Sequence, residues 1–284
     1  MPQYIGRFAP SPTGLLHFGS LVTALASYLD ARHHRGQWLL RIDDIDQVRV
    51  VKDSAPQILK TLKIFGFKHD GDIRWQNQHI KDYEAELNRL AAEDLLYPCV
   101  CSRQDILSIS PSGIYLGTCQ DWGIDLTTPH SIRLKVNGEI SFNDHIQGIY
   151  QQSLPSRVGD FIIKRKDGIF AYQLATVVDD AAQGITHIVR GEDLLDSTPR
   201  QIYLQQLLNY PEIKYGHIQI VVNKNGQKLS KQNKDYPVDL ANPLKTLKKA
   251  LVFLNQPLPS NVDTVQQLLE KASINWNIKA AKAA

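Results

Sequence analysis

Residues 7–20 read RFAPSPTGLLHFGS. Just before and within this stretch, Tyr4 to Ala9 has the composition of a short strand. Pro10 to Gly14 is a turn punctuated by proline and glycine, and Leu21, Leu25, Tyr28 and Leu29 then recur at helical spacing. Strand, rigid loop and helix in direct succession are the opening of an α/β unit. Gly14 and Gly19 permit close approach of a ligand to the backbone, and Ser20 is placed to cap the helix. The unpaired amides at that helix start favour a bound phosphate. His17 would stand beside the anion and donate to its oxygens as negative charge shifts. A capped helix with a surface histidine is the plainer reading of the same residues.

Outward from this stretch the alternation continues. Trp38 to Ile42 is a compact apolar run suited to a buried parallel strand, and Ser54 to Phe65 returns to helical period through Ile58, Leu59 and Leu62. Such alternation predicts a parallel sheet covered by helices, with ligands gathering beyond the carboxyl ends of the strands. Between Pro98 and Lys166 the texture changes to cysteines, glycines and short β-type pieces such as Ser131 to Val136 and Asp160 to Ile163, the mark of an insertion. The α/β pattern resumes with a helix over Ala171 to Ala182, a strand over Ile185 to Val189, a helix over Thr198 to Leu208 and a strand over His217 to Val222. Leu244 to Leu254 and Val265 to Ala272 read as short closing helices. The expected division is 1–97 and 167–240 for the two halves of one α/β domain, 98–166 for the inserted subdomain, and 241–284 for a short helical end.

Composition bounds the function. With 284 residues and 43% hydrophobic content the chain can bury one large core or two modest ones. The net charge of +3 is unevenly spread, with a basic excess of 7 from Ile213 onward and an acidic excess of 4 before it. That basic end could face phosphate or be a solvated lysine-rich tail. No apolar run approaches the roughly twenty residues that cross a bilayer, and no low-complexity tract or fixed-period repeat is present. The N-terminus lacks the pattern of a secretory signal, and 3 cysteines cannot all pair within one chain. The expectation is a cytoplasmic enzyme without a membrane segment.

Two further groups carry chemistry. Lys228 and Lys231, in the sequence KLSKQ after the turn-like Asn223 to Gly226, could both reach one polyphosphate from a lysine-rich loop. Cys99, Cys101, Tyr115 and Cys119 lie within the insertion. Three soft sulfur ligands with a fourth group could complete a closed, structural zinc site, with His130 and His145 as competitors for the fourth position. Three buried free thiols are the alternative.

Taken together, HFGS and KLSKQ resemble the HIGH and KMSKS signatures of class I aminoacyl-tRNA synthetases. The segments RFAPSPTG, LRIDDID and AYQLATVVDDAAQGITHIVRGEDLLDSTPRQ are similar to the catalytic domain of glutamyl-tRNA synthetases, from about Tyr4 to Gln232. The resemblance implies a Rossmann-type parallel sheet with an inserted zinc-binding subdomain and short C-terminal helices. It implies a glutamate site of Arg7, Ala9, Ser11, Asp43, Tyr172 and Arg190, in which the arginines serve carboxylates and Asp43 the amino group; a buried Arg–Asp pair serving only the fold is the alternative. ATP, with Mg²⁺, would lie on His17, Gly19, Ser20, Lys228 and Lys231, of which His17, Lys228 and Lys231 would be catalytic.

Full-length members place a sizeable helical anticodon-binding region after the lysine loop, whereas 53 residues follow Lys231 here. In this the chain resembles the family's short paralogues, which transfer glutamate to the queuosine base in the anticodon loop of tRNA(Asp). They carry a comparable zinc group with the tyrosine in fourth place. The implied partners are ATP, L-glutamate and queuosine-bearing tRNA(Asp), met by a monomer whose basic segment Lys214 to Lys249 would follow the RNA backbone. The rivals are an ordinary glutamyl-tRNA synthetase and a tRNA-binding protein that lost catalysis.

Overall fold

The computed structural model describes residues 3–221 and 237–282. The first half of the sheet follows the expected alternation: β1 (Ile5–Phe8), α1 (Phe18–His33), β2 (Gln37–Ile42), α2 (Ser54–Ile64), β3 (Arg74–Trp75) and α3 (Ile80–Ala92). The insertion supplies β4 (Leu96–Cys99), α4 (Arg103–Ile109), β5 (Ser131–Leu134), β6 (Glu139–Asp144), β7 (Gly148–Ser153), α5 (Leu154–Arg157) and β8 (Phe161–Lys164). The chain then returns through α6 (Tyr172–Ala182), β9 (His187–Gly191), a 3-10 turn (Glu192–Ser197), α7 (Thr198–Leu207) and β10 (Lys214–Ile218), and ends in α8 (Pro243–Phe253) and α9 (Val265–Ile274).

The central sheet has strand order β10-β9-β1-β2-β3 with parallel pairing throughout. From β1 the chain winds one way through β2 and β3, and the later strands extend the other way. The order therefore reverses between β1 and β9, and a crevice opens beyond their carboxyl ends. Leu21, Leu25 and Leu29 of α1 bury one apolar stripe among Trp38, Leu40, Ile58 and Leu62. Leu247 and Leu251 of α8 and Leu268 of α9 join that same core, so the C-terminal helices close the sheet's cover. A second core links Tyr83 and Leu87 of α3 with Leu174 and Val178 of α6, Leu204 of α7, and Leu134, Phe161 and Ile163 of the insertion.

The inserted strands are antiparallel: β4-β5-β8 form one sheet and β6-β7 a hairpin. Gly159 holds this subdomain together at close range. Its φ is +70°, and a Cβ there would lie 2.2 Å from the Tyr115 carbonyl oxygen, so any other residue would be strained and would push the Tyr115 segment away.

The final strand differs from the expected His217 to Val222. It begins at Lys214 because its register is set by pairing with β9, Lys214 opposite His187 and Ile218 opposite Gly191. Beyond Gly191 the partner strand turns into the 3-10 segment, so Ile220 and Val221 have no ladder to join and line the crevice instead, and Val222 lies outside the described residues. Among the described residues no helix is long and apolar enough to cross a membrane.

Candidate active site and cysteine centre

At the point where the strand order reverses lies a cavity of about 510 Å³. Arg7, Ala9, Ser11, His17, Gly19, Ser20, Asp43, Tyr172 and Arg190 all line it, although they come from segments up to 183 residues apart. The strands explain the convergence: Arg7 is the penultimate residue of β1, Asp43 follows β2, and Arg190 is the penultimate residue of β9. Tyr172 opens α6 at the rim, 37% exposed. Lys228 and Lys231 lie outside the described residues.

The loop between β1 and α1 is pinned from three sides. Asp43 N–H donates to Pro10 O at 3.1 Å and Val51 N–H to Pro12 O at 2.9 Å. Ser54 Oγ donates to Gly14 O at 2.8 Å while accepting from Gly14 N at 3.2 Å. The expected cap was Ser20, but the helix starts at Phe18 and the cap is His17. Its backbone is extended, and Nδ1 accepts from Ser20 N–H at 3.3 Å. Ser20 falls in the first turn because the extended residue nearest the helix is the histidine. An accepting Nδ1 carries no proton, so the neutral ring keeps its hydrogen on Nε2, the tautomer that donates from that nitrogen. Gly19 makes room for the ring, since a Cβ there would sit 3.2 Å from it.

Beneath the cavity floor runs a buried charge network. Arg7 donates from Nε and Nη2 to the Asp180 carboxylate at 2.9 and 3.0 Å. Arg41 donates to Asp180 at 2.6 Å and to Asp43 at 2.7 Å. Burial alone would raise the Asp180 carboxyl, but Arg7 and Arg41 outweigh it and hold it at about 2. Burial pushes the Asp43 carboxyl up, against the pull of Arg41. Asp43 is thus already committed to one cation, and only its remaining lone pairs are available to a ligand's ammonium. Arg190 is held differently: Nε donates to His217 Nε2 at 3.0 Å and Nη2 to Thr198 Oγ1 at 2.7 Å, both neutral acceptors.

Sequence reasoning did not single out Asp180, His217 or Thr198. Asp179 and Asp180 sit side by side within the otherwise apolar buried run of α6, and that is the signal that could have drawn attention to them. A carboxylate inside a hydrophobic helix face requires a cation.

In the insertion, Cys99, Cys101 and Cys119 bring their sulfurs within 4.8 Å of one another. The Tyr115 hydroxyl lies 3.3 Å from Cys99 Sγ and 3.9 Å from Cys101 Sγ, and accepts from Cys119 N–H at 2.8 Å. The Cys101–Cys119 sulfur separation of 3.3 Å excludes a disulfide, whose sulfurs are about 2.05 Å apart. Zinc–sulfur bonds of about 2.3 Å in a tetrahedron require sulfurs roughly 3.8 Å apart, so small shifts of these side chains would fit the ion. Among the described residues no histidine or carboxylate joins the cluster. His130 turns its Nδ1 to Thr128 O in an exposed loop, and His145 packs beside His187 at the base of the main sheet. Burial would raise the Cys119 thiol, but hydrogen bonds from Tyr115 and Cys101 bring it down to about 7. The Arg133 guanidinium lies 3.7 Å over the Tyr115 ring.

The chain matches the family described as tRNA synthetases class I (E and Q), catalytic domain, over residues 5–111 and 120–252. The interruption, 112–119, is the segment that carries Tyr115 and Cys119. Among curated proteins it is 48% identical to the glutamyl-Q tRNA(Asp) synthetase of Janthinobacterium sp. (strain Marseille), covering 96% of this chain and 97% of that protein. It is 49% identical to the protein of the same name from Aromatoleum aromaticum, covering 98% and 90%. Among solved structures it superposes on a glutamate tRNA ligase from Elizabethkingia meningosepticum in complex with its amino acid, with a TM-score of 0.82 and 23% identity. That match covers 99% of this chain but 66% of the ligase, and at this identity it bears on the fold alone.

Proposed function

The chain belongs to the class I tRNA synthetases of the E and Q type, and on that premise we propose that it activates L-glutamate with ATP and transfers it to the queuosine base in the anticodon loop of tRNA(Asp). The observation that carries the reading is near-full-length identity of 45–49% to proteins named glutamyl-Q tRNA(Asp) synthetase. The cavity supports it chemically: two guanidiniums and a carboxylate face the space a diacid with an ammonium group would occupy.

In this reading Arg7 and Arg190 bind the glutamate carboxylates, Asp43 receives the ammonium, and Ala9, Ser11 and Tyr172 shape the remaining wall. ATP lies along the start of α1 over Gly19 and Ser20. A glutamate α-carboxylate oxygen attacks the α-phosphorus, the bond to the β,γ-phosphates breaks, and pyrophosphate leaves with the electron pair. His17 donates to the phosphates through Nε2, and Lys228 and Lys231 add positive charge as it shifts. Mg²⁺ neutralises part of the triphosphate's charge when bound. Catalysis is therefore positioning and electrostatics, with no protein nucleophile. A hydroxyl of the modified base then attacks the glutamyl carbonyl and AMP departs. Cys99, Cys101, Tyr115 and Cys119, none of which lines the cavity, would hold one Zn²⁺ that staples the insertion in a structural role. The protein acts as a cytoplasmic monomer in this reading.

The test is to map labelled glutamate on RNA. Queuosine-bearing tRNA(Asp) should accept glutamate, and should still do so after removal of its 3′ terminal adenosine. The same tRNA with guanosine in place of queuosine should accept none. Glutamate on the 3′ end of tRNA(Glu) would instead make the protein an ordinary glutamyl-tRNA synthetase. Metal analysis should find about one zinc per chain, lost in Cys119→Ser.

A further inference from the structure

Arg190, which is 3% exposed, spends Nε and Nη2 on His217 and Thr198, and its Nη1 is buried without a partner although the residue lines the cavity. A buried donor left unsatisfied is costly unless a ligand completes it, and a carboxylate is the ligand a guanidinium fork fits. What aims the fork is a chain of hydrogen bonds running back into the insertion. His217 Nδ1 lies 2.6 Å from Asp144 Oδ2, and both residues are buried. A carboxylate can only accept there, so His217 carries its proton on Nδ1 and offers the Nε2 lone pair to the Arg190 Nε–H.

Asp144 is itself over-determined. Its Oδ1 accepts from Ile146 N and Gln147 N at 2.9 Å each, and from His217 N at 3.1 Å. Gln147 Nε2 donates to His217 O at 2.7 Å, and His145 N to Tyr215 O at 2.9 Å. The turn between β6 and β7 is thereby seated on the outer edge of β10, directly behind the arginine.

We infer that Asp144 and His217 are positioning residues for substrate recognition: Asp144 fixes the His217 tautomer, and His217 aims Arg190 Nη1 at a carboxylate of the amino-acid substrate. The inserted hairpin thus sets amino-acid affinity in a site otherwise made by the main sheet. The inference rests on the reading of the cavity as the glutamate site.

Asp144→Asn is the decisive variant. Its amide oxygen can keep all the bonds of Oδ1, while an NH₂ replaces Oδ2 and forces His217 to accept at Nδ1. Nε2 then bears a proton, which Thr198 Oγ1 at 3.0 Å can accept, and the Arg190 Nε–H loses its acceptor. In glutamate-dependent pyrophosphate exchange, KM for glutamate should rise about tenfold or more, with KM for ATP within twofold of the parent. His217→Leu should do the same, and His217→Gln, which can present an acceptor oxygen to Arg190, should recover part of the loss. An unchanged KM for glutamate in Asp144→Asn, or KM for glutamate and ATP rising in parallel, overturns the inference. Absence of glutamate-dependent exchange in the parent protein would instead remove the functional reading. The relay has its own readout: ¹H–¹⁵N correlation spectra of the imidazole should place the His217 proton on Nδ1 in the parent and on Nε2 in Asp144→Asn. A parent ring protonated on Nε2 overturns the inference whatever amino acid is activated.

Discussion

At the carboxyl ends of β1 and β9 stand Arg7 and Arg190; three residues earlier along the same two segments stand Tyr4 and His187. The upper pair opens on a cavity, each arginine held by hydrogen bonds that leave part of its guanidinium for a ligand. The lower pair is closed. The Tyr4 ring stacks on His187 with centroids 4.1 Å apart and on His34 at 4.8 Å, and its hydroxyl donates to the buried Asp30. One sheet therefore keeps paired cations at a cavity at one end and, at the other, a ring stack anchored on one buried carboxylate. Charge must be compensated by partners distant in sequence, whereas the rings are satisfied by stacking, and the two ends should respond differently to substitution and to pH.

The largest effect is expected at the charged end. Asp180→Ala would strand Arg7 in the interior, while Arg41 keeps Asp43 at 2.7 Å and Asp179 at 3.7 Å; breaking such a buried pair costs about 3–5 kcal/mol. Urea unfolding should show that loss; a stability within about 1 kcal/mol of the parent would mean that the network is better hydrated than its burial indicates. Next, in the proposed reading Arg190→Ala removes the charged donor to a substrate carboxylate. Glutamate-dependent kcat/KM should fall about 100-fold, near 2.7 kcal/mol, with little change in stability. A large drop in stability with intact kinetics would move Arg190 from recognition to folding.

At the closed end the prediction concerns pH. Burial, with Lys214, His145 and His34 nearby, lowers His187 from its ordinary 6.5 to about 4. The native ring therefore stays neutral while the unfolded chain takes up a proton as pH falls below 6.5. Stability is lost on acidification between those values, by about 1–2 kcal/mol once solvent screening of the part-exposed ring is discounted. Unfolding free energies measured at pH 7 and pH 4.5 should differ less in His187→Asn than in the parent by that margin; equal differences would show the ring to be protonated in the fold. The smallest effect is at Tyr4→Phe, which removes one donor to Asp30 while the Trp276 indole still donates to it at 2.8 Å. A loss of about 1 kcal/mol is expected, and a loss beyond about 3 kcal/mol would mean that the stack depends on the hydroxyl.

These contrasts also explain which parts of the molecule could be read in advance. β1 and β2 were legible because a buried parallel strand is a short apolar run bounded by turn residues, and Trp38 to Ile42 is one. β10 was displaced by three residues because the apolar run Ile218 to Val222 extends past the point where its partner strand ends. The hairpin β6-β7 left little trace because its burial alternates but its polarity does not follow, with Asp144 at a buried position and Ile149 at an exposed one. Of the residues that line the cavity, His17, Gly19 and Ser20 stand out in a compact motif, and Arg7, Ala9, Ser11, Asp43, Tyr172 and Arg190 enter through the family resemblance. Their holders were not. Asp180 lies 173 residues from Arg7 and Asp144 lies 73 from His217, and no local pattern encodes a pairing at that range.

The seating of the β6-β7 turn has one more consequence. β10 is an outer strand of the sheet, and the Tyr215 and His217 carbonyls point away from β9 toward the side where another strand could add. An unprotected row of this kind is a template for edge-to-edge association between molecules. Here His145 and Gln147 occupy those carbonyls, and at the opposite border β3 is only 2 residues long. The sheet thus has one border covered by its own insertion and the other too short to recruit a neighbour, a form of protection against aggregation built into the same hairpin that reaches Arg190.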